Sequence, residues 1–121
     1  DARRCAPHED QQPGTEPVEI DLSALEQMAG ADHSLIERLR KQVGKSLRDD
    51  LQALEQLPIA DRNGLRELAH HIKGGAQMVG AARVVAACAE LERACRDSKH
   101  AGVKRAIDKL REAMRGLADC L

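Results

Sequence analysis

With 121 residues and a net charge of -1, the chain has room for one domain with a real core and not for two. Its charges are interspersed and it lacks phenylalanine, tyrosine and tryptophan, which excludes the basic surplus of a dedicated DNA binder and the stacking platforms of a single-strand binder. No apolar run approaches the roughly 20 residues that span a bilayer and no signal peptide is visible, so neither nucleic acid nor direct membrane contact is expected.

Three of the four prolines fall in the opening segment DARRCAPHEDQQPGTEPV. That composition buries little apolar surface, and residues 1–18 are predicted to be a flexible linker or tail. The start at Asp1 without methionine predicts a fragment of a longer protein or a processed chain. Asp21 is placed to cap a short helix with Leu22, Leu25 and Met28 on one side and Gly30 at its end. From Asp32 onward Leu35, Leu39, Val43, Leu47, Leu51 and Leu54 recur every three or four positions until Pro58. A third helix begins at Asp61 or Asn63 and runs to Gly80. Val84, Cys88, Leu91 and Cys95 stripe a fourth, and Val103, Ile107, Leu110, Met114, Leu117 and Leu121 a fifth. No stretch alternates with period two, so no strand is predicted. The expected fold is all-α: an antiparallel up-down four-helix bundle over 19–121 with a short additional N-terminal helix.

Cys5, Cys88, Cys95 and Cys120 are expected as free thiols, since Cys88 and Cys95 sit seven apart in an apolar helical stripe. Cys5-x-x-His8 has no second ligand pair, and no metal site is predicted. His8, His33 and His100 read as bystanders near termini or loops. Met28, Met78 and Met114 read as filling of the core or its edge.

The third helix carries the unusual chemistry, in Glu67-Leu-Ala-His-His-Ile-Lys-Gly-Gly-Ala-Gln-Met-Val-Gly-Ala81. An interior glycine costs a helix about 1 kcal/mol relative to alanine, so a pair beside two histidines asks for a reason. On a wheel of about 100° per residue starting at Leu65, the residues Leu68, Ile72, Ala76 and Val79 cluster with Leu65 as the buried face. His70 falls at about 140°, nearly opposite, with Arg66, Lys73, Gln77 and Gly74 around it, whereas His71 falls at about 240°, on the shoulder of the core. Gly74, one turn beyond His70, leaves space beside the imidazole, and Gly75 gives room for a neighbouring helix. An exposed, substantially neutral imidazole is a nucleophile. Lys73 and Arg66 suit the charge of a phosphoryl group and Gln77 a hydrogen bond to it. Arg62, Arg66 and Arg83 offer a positive rim for an acidic partner. Two plainer readings compete: a non-catalytic docking or structural module with inert surface histidines, and a metal-binding bundle. The second needs paired Glu-x-x-His motifs facing inward, and only Glu67 and His70 have that spacing.

At these residues the chain resembles the histidine phosphotransfer (HPt) domains. His70-His71-Ile72-Lys73-Gly74 fits the family's His-x-Leu/Ile-Lys-Gly, Gly80-Ala81 its Gly-Ala at the helix turn, and Cys88-Ala-Glu-Leu-Glu92 its Cys-x-x-Leu-Glu. The resemblance covers about residues 19–121. It departs where the family often has serine, at Gly75 and Ala76, and where it commonly has an aromatic, at Val43. The resemblance implies a phosphorelay intermediate that takes a phosphoryl group on His70 from a receiver-domain aspartate and passes it to another receiver's aspartate. It implies supporting or docking roles for Lys73, Gly74, Gln77 and Arg66. It further implies no ATP site, no cofactor in the domain, and a catalytic Mg²⁺ belonging to the receiver. The expected setting is a monomeric cytoplasmic module, C-terminal in a hybrid sensor kinase.

Overall fold

The computed structural model describes residues 2–4, 19–30, 32–97 and 99–121, with backbone alone at 2–4 and 19. Of the predicted linker, residues 1 and 5–18, including Cys5 and His8, lie outside the described residues. Two short strands, β1 (Ala2–Arg4) and β2 (Glu19–Asp21), pair antiparallel with Arg3 opposite Ile20. This corrects the expectation of no strand: three residues are too few for a period of two to show. Among the described residues five helices follow: α1 (Ser23–Ala29), α2 (His33–Gln56), α3 (Arg62–Met78), α4 (Ala82–Asp97) and α5 (His100–Cys120). They make the expected all-α bundle of four long helices and a short leading one.

The helix starts follow from side-chain chemistry. Asp32 accepts from the Leu35 amide at 3.1 Å and Asp61 from the Gly64 amide at 3.0 Å, each satisfying an amide that has no partner within its helix. Asp21 stands one residue further out than a cap: Leu22 precedes α1, and Oδ1 of Asp21 accepts from Ser23 N at 3.0 Å and Ser23 Oγ at 2.5 Å. Those bonds from Ser23 hold the Asp21 carboxyl below its usual range. Carbonyls at helix ends are met by arginines from neighbouring helices. Arg40 donates to Cys120 O at 2.7 Å and Arg48 to Ala118 O at 3.3 Å, tying the end of α5 to α2. Arg62 donates to Cys95 O at 3.3 Å, tying the start of α3 to the end of α4. Half-buried Arg62 is thus a structural tie and not part of the expected rim.

The core is aliphatic. Leu65, Ala69, Ile72, Ala76 and Val79 from α3 and its C-cap pack with Leu25, Leu54, Val84, Cys88, Leu91, Val103, Leu110, Met114 and Leu117, and α3 packs most extensively against α4. The predicted α2 stripe holds from Leu39 to Leu54, with Leu47 and Leu54 buried and Leu39, Val43 and Leu51 packed against the core, but in its first turn Ile36 is buried and Leu35 half-buried. Met28 is 62% exposed instead of facing the core. The 3.6-residue period names a side of a helix, not where the surface it covers ends.

The free-thiol expectation holds for Cys88 and Cys95, both buried, and not for Cys120, which is disulfide-bonded. Burial, with the nearby Glu92 carboxylate adding to it, pushes the Cys88 thiol up to about 12 from 9.0. The folded chain therefore keeps a proton that the unfolded chain releases, so this contribution is complete below about pH 9 and is lost as pH rises toward 12. Urea unfolding is expected to show about 1 kcal/mol of this loss by pH 10, and Cys88→Ala to remove that part of the pH dependence.

Candidate functional site

The site is one exposed face of α3. His70 is exposed, Arg66 lies one turn before it, and Gly74 and Gln77, also exposed, follow it along the same side. Helical side chains lean toward the N-terminus of their helix. By the same geometry any side chain at Gly74 would lean over His70. A Cβ built at Gly74 meets nothing within 4 Å. The clearance predicted at Gly74 is present. At Gly75 an added Cβ would meet Leu47 Cδ2 at 3.7 Å, an ordinary contact, so the approach of α2 does not require glycine there. That corrects the packing role expected of Gly75.

Lys73 does not stand free at the site. Its Nζ is 3.0 Å from Glu92 Oε1 on α4, with side chains 25% and 17% exposed, a charge-to-charge contact and not an aligned hydrogen bond. Arg66 donates to Asn63 Oδ1 at 3.3 Å on its own helix. The two histidines differ in partners more than in exposure. Both are exposed, which departs from the expected shoulder position of His71, but Nδ1 of His71 is 2.8 Å from Asp50 Oδ2 on α2. The hydrogen bond predicted for His71 within the bundle is therefore present. Asp50 and Glu92, the partners of His71 and Lys73, have no role assigned from the sequence alone. Glu92 had a signal in its motif; Asp50, twenty-one residues from His71, had none.

Among the described residues no group of three or more His, Cys, Asp or Glu is placed to hold a metal ion, and no helix is long and apolar enough to cross a membrane.

Substituting leucine for Gly74 is expected to leave the fold intact while slowing phosphoryl transfer by about 100-fold, because misplacing a reacting group by about 1 Å costs that much. Transfer at the wild-type rate with every receiver tested would refute the clearance argument.

An imidazole exposed on a packed helical bundle, with open space on one side, is a group presented to another macromolecule. A family model described as the Hpt domain matches residues 38–120, and the chain belongs to that family. It is a phosphorelay intermediate of two-component signalling, and Hpt domains exchange phosphoryl groups with receiver-domain partners. Two solved structures share the fold. A rice protein described as a candidate histidine-containing phosphotransfer protein is 18% identical with a TM-score of 0.63, over 81% of this chain and 69% of that one. A histidine-containing phosphotransfer protein from maize is 22% identical with a TM-score of 0.61, over 78% of this chain and 71% of that one. No curated protein matches the chain in sequence.

Proposed function

We propose that His70 is the phosphoryl acceptor, loaded from the phosphoaspartate of one receiver domain and discharged to the aspartate of another. The observation that carries this reading is the open space at Gly74 beside an exposed imidazole. In-line transfer between two proteins needs the acceptor to project and its surroundings to stay clear. The imidazole nitrogen attacks phosphorus as the bond to the aspartyl oxygen breaks, and the reverse step restores the imidazole. The receiver supplies the Mg²⁺, and this domain contributes no cofactor. Arg66 and Gln77 line the docking face, and Lys73, held by Glu92, places a positive charge at its edge. The reading of inert histidines on a docking module makes the opposite prediction in one assay. The chain incubated with a phosphorylated receiver domain is expected to acquire a label that is lost in acid, survives alkali and maps to the His70 peptide. Label absent with a broad panel of receivers, or mapped elsewhere, would refute the assignment.

A further inference from the structure

His71 is held as a reactive imidazole is held. Its Nδ1 lies 2.8 Å from Asp50 Oδ2, with the aspartate side chain 14% exposed and the histidine side chain 63% exposed. An ionised carboxylate only accepts hydrogen bonds, so the contact keeps the proton of the neutral ring on Nδ1 and the lone pair on the outer nitrogen, Nε2. An imidazole oriented by a carboxylate through one nitrogen, with the other facing outward, is the arrangement that activates histidine as a nucleophile or base. Asp50 sits on α2 and His71 on α3, and the packing of those two helices holds the pair.

We propose that His71 is a second phosphoryl acceptor, one that takes phosphoryl groups from small phosphoramidate-class donors without a receiver domain. The Nε2 lone pair attacks phosphorus of a donor whose nitrogen is already protonated to the ammonium form, the donor's P–N bond breaks, and its electron pair leaves with that nitrogen as neutral ammonia. The ring, now phosphorylated at Nε2 and protonated at Nδ1, gains positive charge. The Asp50 carboxylate balances that charge across the existing contact. No tie between α2 and α3 has to break. His71 is the reacting residue and Asp50 its positioning residue. This activity is independent of receiver docking at His70, and its test needs neither.

The test uses the full chain carrying His70→Gln, incubated with potassium phosphoramidate under mildly alkaline conditions and mapped by peptide mass spectrometry. Exposed His33 and His100 in the same molecule serve as internal references. His71 is expected to acquire an acid-labile phosphoryl group at least about tenfold faster than either, the rate equivalent of one charge-assisted hydrogen bond. Adding Asp50→Asn should bring His71 down to within about twofold of the references, with far-ultraviolet circular dichroism showing that the helices persist. Labelling of His71 no faster than His33 and His100 in the His70→Gln chain would overturn the proposal whatever Asp50→Asn does. An unchanged His71 rate in a folded Asp50→Asn chain would overturn the part assigned to Asp50.

Discussion

His70→Gln is expected to lower phosphoryl acceptance from a phosphorylated receiver by at least about three orders of magnitude, because it removes the nucleophile itself. Glutamine keeps a polar side chain of comparable reach but offers no nitrogen lone pair that can attack phosphorus. His71→Gln is expected to retain most of the acceptance. That substitution costs the hydrogen bond to Asp50 and leaves the space at Gly74 untouched. Initial rates of label transfer, with unfolding followed in parallel, separate the two. Equal losses would show that the histidines act as a unit, and the reverse pattern would move the acceptor to His71.

Alanine is expected to destabilise the fold at Gly80 and to stabilise it at Gly74, although both glycines lie in or next to α3. Gly80 has φ of +62°, the left-handed region that costs a residue with Cβ about 1–2 kcal/mol. A Cβ there would also overlap the Cβ and carbonyl oxygen of Asp21, whose amide is tied to Val79 O at 2.9 Å. Relieving that overlap costs about 1–3 kcal/mol more, because backbone and not a flexible side-chain tip must yield. Gly80→Ala should therefore lose about 2–5 kcal/mol and lower Tm by ~10–25 °C. At Gly74 nothing lies within 4 Å, and alanine should gain about 0.5–1 kcal/mol through helix propensity alone. Thermal melts of the two variants decide this; a Gly80→Ala chain that melts within a few degrees of wild type would refute the close approach of Asp21.

The elements along single helices were legible in the sequence. Asp32 and Asp61 cap where their side chains are needed, and the rhythm from Val103 to Leu117 is the buried face of α5. The wheel placed His70 outward correctly because that depends on one helix only. What the sequence hid are relations between helices. Lys73 with Glu92, His71 with Asp50, and Arg62 with the Cys95 carbonyl each join residues nineteen to thirty-three apart. Such contacts depend on how two helices rotate and slide against each other, which no single periodicity fixes. From α3 alone Lys73 therefore reads as a cation facing the phosphoryl group, and His71 as a residue on the shoulder of the core. The Hpt motif located the reacting helix without revealing these partners.

The aliphatic core has a consequence for measurement. With no phenylalanine, tyrosine or tryptophan anywhere in the chain, the protein has no intrinsic ring fluorescence. Mixed with a receiver domain, it is optically dark, so every change in tyrosine or tryptophan emission belongs to the receiver. Docking and phosphoryl exchange can then be followed from the partner's side alone, with neither protein labelled.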